Sequence, residues 1–214
     1  NQSRRQRQMC IRDRSKIALK YGGTIDKFVG DAILIFFGDP ETKGDKEDAY
    51  SCVLMALEMQ ERMHHLKNLW EGQGITNPLE IRIGINTGYC NVGNFGSENR
   101  LDYTIIGGEV NLASRLESNA MTGQILISQE TYALIKKHIV CEKKDEIKVK
   151  GIAHKIQTYQ VVGSYKNIAQ KRKILNEEFD GFNLNIDLNI SKKNKVITSL
   201  ENTLKQLKKN EKSN

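Results

Sequence analysis

The chain has 214 residues, 38% of them hydrophobic and 28% charged, and a formal net charge of +7. This suits a globular domain with an appendage. No run approaches the ~18 apolar residues of a membrane span, and residues 1–15 lack the apolar core of an export signal. Residues 1–15 hold five Arg and one Asp, and residues 166–214 hold eleven Lys and Arg against six Asp and Glu. Residues 16–165 keep 17 basic against 19 acidic side chains. The basic charge therefore belongs to the ends, which argues against a nucleic-acid partner, because such a binder gathers basic charge on its folded surface.

Asn1 to Ser15 shows no apolar period and no helix cap. Met9-Cys10-Ile11-Arg12-Asp13 back-translates as ATG TGT ATA AGA GAC, which matches a transposon end used to prepare sequencing libraries. Residues 1–15 are therefore expected to be translated adapter, the alternative being a disordered basic arm, and are kept out of the fold. Lys16–Tyr21 reads as the last turns of a helix stopped by Gly22-Gly23. Thr24–Val29 and Ala32–Phe37 are β-rich runs about Gly30-Asp31, a pair suited to a tight hairpin because Gly accepts positive φ.

Ala49, Val53, Ala56, Leu57, Met63 and Leu66 recur at helical spacing, so Lys46–Asn68 is expected to be a long amphipathic helix. Leu79–Thr87 alternates Ile81, Ile83 and Ile85 as a strand would. Val110–Asn119 and Gln129–Lys137 read as helices flanking a short buried strand, Ile125–Ser128, and Ile147–Val149 and Tyr159–Val162 close a sheet. The alternation of strands and long helices indicates a sheet covered by helices, α/β or α+β. Residues 166–214 form a C-terminal extension. There Phe182, Leu184, Ile186, Leu188 and Ile190 alternate in a strand, and Ile197, Leu200, Leu204 and Leu207 mark an amphipathic helix. Strand and helix are expected to pack together, since neither alone buries a stable apolar face.

The four cysteines, Cys10, Cys52, Cys90 and Cys141, lie far apart with no CxxC pair, as expected of buried thiols in a reducing compartment. His64 and His65 are adjacent, so on a helix they point in different directions and make a poor metal clamp. Two segments carry polar residues that a sheet does not require. In Lys27-Phe28-Val29-Gly30-Asp31, a carboxylate at an exposed bend suits a hard divalent cation, although Gly-Asp is also simply a good turn pair. In Asp102 to Arg115, Asn111 and Arg115 are four apart and share one helix face. That face suits a ribose and a phosphate, because guanidinium matches phosphate oxygens bidentately, and it equally suits plain solvation.

Taken together, GGTIDKFVGDAILIFFG, IRIGINTGYCNVGNFGS and LDYTIIGGEVNLASRLE resemble the class III nucleotidyl cyclase catalytic domain, in that family's order, from about Tyr21 to Val162. The resemblance implies an α+β fold with a ferredoxin-like βαββαβ core at residues 16–165. It also implies a head-to-tail homodimer with active sites at the interface, and two Mg²⁺ or Mn²⁺ ions per site. Carried over by residue, Asp31 resembles the second of two metal-binding aspartates. Lys27 resembles the lysine that reads adenine, and Thr104 its partner in the bacterial-type subgroup. Asn111 resembles the asparagine that orients the ribose, and Arg115 the arginine that stabilises charge on the phosphate.

Lys27 with Thr104 implies ATP as substrate, cyclised to 3′,5′-cyclic AMP with release of pyrophosphate. The first metal aspartate should lie on a strand upstream of Lys27. Asp13 has neither that strand nor the Gly-Phe turn after it, so the chain is expected to be N-terminally truncated and inactive as it stands. The implied location is the cytoplasm, with a membrane reached only through an upstream region. The alternative is a non-catalytic nucleotide-binding or dimerisation module. No GG[DE]EF-like turn speaks for a diguanylate cyclase, and no GxxxxGK[ST] run for a P-loop ATPase.

Overall fold

The computed structural model describes residues 2–97, 100–149, 155–165, 174–179, 182–187 and 193–211, in two compact units, 1–164 and 165–214. The first unit opens with helix α1 (Gln2–Lys20), which leads into the antiparallel hairpin β1 (Thr24–Val29) and β2 (Ala32–Phe36). Helix α2 (Asp45–Gly72) follows. Then come β3 (Ile83–Ile85), the hairpin β4 (Asn91–Ser97) and β5 (Arg100–Ile106), and helix α3 (Gly108–Asn119). The unit closes with β6 (Ile125–Ser128), α4 (Gln129–Ile135), β7 (Ile139–Lys143) and β8 (Thr158–Ser164).

The main sheet has the order β3-β6-β8-β7, with β3 and β6 parallel and the other pairs antiparallel. Successive side chains of β6 divide between its two faces. Ile125 and Ile127 pack with Ala49, Val53 and Ala56 of α2 and Ile135 of α4, while Leu126 packs with Leu112 and Leu116 of α3 and with Ala120 just after it. A strand covered on both faces needs an unbroken apolar run, which is why Ile-Leu-Ile was readable as a buried strand.

The α2 periodicity holds: Ala49, Val53, Ala56, Met63 and Leu66 are buried, and Leu57 packs at the edge of the core. His64 and His65 are both exposed. The strand expected over Leu79–Thr87 shortens to Ile83–Ile85, because β6, with four residues, is its only partner among the described residues. Ile147–Val149 contributes a single bridge, Ile147 to Ile156.

Close packing of α3 on β3 depends on one glycine. A Cβ at Gly84 would collide with the backbone of Ala113 and Glu117, the Glu117 Cα lying 2.8 Å away. Backbone cannot yield as a side chain can, so Gly84→Ala is expected to cost about 1–3 kcal/mol or more, measured as a lower midpoint in urea. Because α3 carries Asn111 and Arg115, the same change displaces both.

Residues 1–15 differ from expectation. The helix runs back to Gln2, and Gln6, Cys10, Arg14 and Ala18, each four residues after the last, form its buried stripe. Two of those four are polar, so no apolar period shows in the sequence. Cys10 packs with Met63, Leu66 and Trp70, and Arg14 Nε donates to the Cys10 carbonyl.

In the second unit, strand β10 (Phe182–Asp187) pairs antiparallel with β9 (Ile174–Phe179), and helix α5 spans Lys193–Glu211. Among the described residues the expected packing of strand against helix is not seen, the side chain of Leu207 lying outside them. The partner of β10 is a second strand, Ile-Leu-Asn-Glu-Glu-Phe, whose sequence lacks alternation, and Ile197, Leu200 and Leu204 of α5 are exposed. Leu188 and Ile190 lie outside the described residues. Among the described residues, no helix is long and apolar enough to cross a membrane.

Candidate active site

Gly30 takes φ +64° at the β1–β2 turn, with Val29 opposite Ala32, so the hairpin closes on Gly30-Asp31. Positive φ at the first turn position is what makes glycine fit there. The Arg14 guanidinium donates to the Asp31 carbonyl at 2.6 Å and pins the turn from beneath. Burial lowers the Arg14 pKa. The Asp31 side chain is left exposed at the bend.

Three residues before the turn, the β1–β2 ladder slips: Ile25 opposes Ile35, Lys27 opposes Leu34, and Asp26 has no partner residue. Such a bulge re-aims the side chains around it. The Asp26 side chain is 1% exposed while that of Lys27 is 49% exposed, with Lys27 Nζ 3.7 Å from Asp26 Oδ1. The other carboxylate oxygen accepts from Thr104 Oγ1 at 2.8 Å. Thr104 lies on β5 opposite Gly93 and is itself buried. Lys27 and Thr104, 77 positions apart in sequence, thus meet through Asp26.

Asn111 and Arg115 share the exposed face of α3, whose opposite face buries Leu112 and Leu116. Neither side chain has a hydrogen bond or ion pair to Lys27, Thr104 or Asp31 among the described residues, so the structure aligns this pair without joining it to the other three. The first turn of α3 is anchored by Asn86, which donates from Nδ2 to Glu109 Oε2 at 2.7 Å and to the Glu109 carbonyl at 3.1 Å. Sequence reasoning missed Asp26 and the Asn86–Glu109 pair. Asp26 sits in an otherwise β-rich run, and only the bulge turns it inward, so no pattern of residue types could have marked it.

The donor set does not by itself fit two divalent cations. Asp31 offers one carboxylate, and among the described residues no three His, Cys, Asp or Glu side chains converge on a metal position. Asp13 is engaged elsewhere, accepting from Arg62 Nε at 2.9 Å and Nη2 at 2.8 Å. A cavity of about 510 Å³ between α1 and α2 is lined by Asp13, Glu58, Arg62 and His65 among others, and by none of the five candidate residues.

Burial pushes Cys10 and Cys141 up to about 11 and Cys52 up to about 12. All four are free thiols; only Cys10 is buried, Cys52 and Cys141 are half-buried and Cys90 is exposed, contrary to the expectation that each is buried.

Residues 15–163 match the family model described as the adenylate and guanylate cyclase catalytic domain. The fold is similar to the crystal structure of the adenylyl cyclase CyaB from P. aeruginosa. That match has 59% identity and a TM-score of 0.73, covering 75% of this chain and 82% of that one. The guanylyl cyclase Cya2 is also similar, at 34% identity and a TM-score of 0.69, covering 75% and 80% of the two chains. In sequence, the terminal-differentiation-specific adenylate cyclase of Dictyostelium discoideum is 36% identical over 146 residues. Those residues are 66% of this chain and 7% of that protein, so the chain spans only a small part of this curated relative. With the family model covering most of the first unit, and the α+β fold of solved cyclase domains reproduced here, the chain belongs to the adenylate and guanylate cyclase catalytic domain family.

Proposed function

We propose that residues 16–165 form a class III adenylate cyclase catalytic domain with a ferredoxin-like core, acting on ATP in a head-to-tail homodimer. The observation that carries this reading is the meeting of Lys27 and Thr104 through Asp26. Adenine presents an acceptor at N1 and a donor at its 6-amino group, and a lysine ammonium beside a threonine oxygen answers both. Similarity to an adenylyl cyclase at 59% identity supports the same choice.

In this reading Asn111 orients the ribose so that its 3′-hydroxyl gives up its proton to water and the 3′-oxygen attacks the α-phosphorus. The P–O bond to the β-phosphate breaks and pyrophosphate leaves with its electron pair. Arg115 offers fixed positive charge to the phosphate oxygens as negative charge builds there. Asp31 of one protomer faces the nucleotide held by Lys27, Thr104, Asn111 and Arg115 of the other. The family reading calls for two Mg²⁺ or Mn²⁺ ions, for which Asp31 is one ligand, and a second carboxylate is needed beyond the described donor set. That shortfall favours a second reading for the chain by itself, nucleotide binding without turnover.

The adenine assignment is tested by Lys27→Glu. Lys27 is half-exposed and outside the core, so the variant, although it sets a second carboxylate beside Asp26, is expected to lose affinity for ATP far more than it loses melting temperature. Equal ATP binding by variant and wild type contradicts the assignment.

A further inference from the structure

We infer that Asp26 is the residue that sets base selectivity, by fixing the hydrogen-bond polarity of Thr104. This rests on the adenylate reading above and adds to it a positioning residue that does not touch the nucleotide. Asp26 is the unpaired residue between Ile25 and Lys27, and its side chain is almost wholly buried. One of its oxygens accepts from the Thr104 hydroxyl and the other lies beside the Lys27 ammonium.

A hydroxyl has one proton to give and two lone pairs with which to accept. A carboxylate only accepts, so the Thr104 proton is committed to Asp26. What Thr104 Oγ1 can then offer a ligand is an acceptor and nothing else. A purine with a 6-amino group donates to that oxygen, whereas a purine with a 6-oxo group meets lone pair with lone pair. The same carboxylate sits next to Lys27, which is a donor only. It suits the unprotonated N1 of adenine and opposes the N1–H of guanine or hypoxanthine. One buried acid thereby orders the pair as donor at N1 and acceptor at position 6.

Ring contacts and charge are the same for many purines, so this polarity separates nucleotides that shape does not. Asparagine in place of Asp26 keeps the size but carries both a donor and an acceptor. With the introduced amide donating, the Thr104 hydroxyl is released to donate to a 6-oxo group, and discrimination is expected to fall by about tenfold, the worth of one mismatched hydrogen bond.

The test is equilibrium binding to the 214-residue chain of three probes: ATP, purine riboside triphosphate, which has no group at position 6, and inosine triphosphate, which has a 6-oxo group. For the wild type the expected order of affinity is ATP, then purine riboside triphosphate, then inosine triphosphate. Asp26→Asn is expected to narrow the gap between ATP and inosine triphosphate about tenfold. In a Thr104→Val background, Asp26→Asn is expected to leave that ratio unchanged. A purely structural role for Asp26 would weaken all three probes together and leave their ratios alone, and that result overturns the inference.

Wild type that prefers inosine triphosphate, or binds none of the probes, overturns the adenylate reading and this inference with it. Wild type that prefers ATP while Asp26→Asn keeps the same ratio overturns the role of Asp26 alone. Should Asp26→Asn not fold, the wild-type order decides: inosine triphosphate binding as tightly as purine riboside triphosphate shows that Thr104 donates, contrary to the inference.

Discussion

Replacing Arg115 with alanine, in a protein supplied with the second metal carboxylate, is expected to lower cyclic AMP formation by about 10²–10³-fold, or 2.7–4 kcal/mol in the barrier. The effect should fall on kcat with KM for ATP little changed, because the guanidinium matters most when charge develops on the phosphate. Stability should not follow. Arg115 is exposed, and the packing of α3 is carried by Leu112 and Leu116 on its other side. A loss of activity accompanied by an equal loss in melting temperature would mean that Arg115 serves the fold and not the reaction.

The second large effect concerns the chain by itself. The 214-residue protein is expected to form no cyclic AMP from ATP with Mg²⁺ or Mn²⁺, because under the proposed two-metal reading Asp31 alone cannot hold one ion at the nucleophile and another at the leaving group. The sheet edges suggest where the complementing segment would sit. Among the described residues, β3 pairs only with β6, and β1–β2 is a separate two-stranded sheet. Ile35 of β2 and Ile83 of β3 nevertheless pack against one cluster, formed by Ile17, Ala18, Met55 and Met59. A strand bearing an aspartate, supplied upstream of Lys16, could pair with both edges over that cluster and bring the second carboxylate near Asp31. Unpaired edges also invite association, so the unsupplemented chain is expected to aggregate more readily, as light scattering would show. Robust turnover by the unsupplemented chain would mean that another carboxylate completes the site.

Much of this molecule was legible where a single physical demand set the residue pattern. The burial of β6 on both faces required Ile125-Leu126-Ile127, and the long contact of α2 required Val53, Ala56, Met63 and Leu66 at helical spacing. The β1–β2 turn required glycine at position 30. The hairpin β4–β5 escaped notice because Asn91, Gly93, Asn94 and Gly96 are poor strand formers, and most of β4 is exposed, so no alternation was imposed on it. α1 was hidden because Gln6 and Arg14 occupy half of its buried stripe.

The site divides in the same way. Asn111 and Arg115 were readable as a shared face because helical spacing is local. The link from Lys27 to Thr104 depends on a register slip at Asp26, and register is a property of two strands together. No single stretch of sequence contains it. The apolar residues of α5 were legible too, but their exposure was not, since periodicity says that a face exists and not what covers it.

Mass spectrometry of the product made from ATP and from GTP, by the protein supplied with the upstream strand and its aspartate and with Mn²⁺ present, tests adenylate cyclisation directly. The expected products are 3′,5′-cyclic AMP and pyrophosphate in equal amounts from ATP, with cyclic GMP from GTP formed far more slowly. Faster formation of cyclic GMP, or release of ADP and phosphate without a cyclic product, would contradict it.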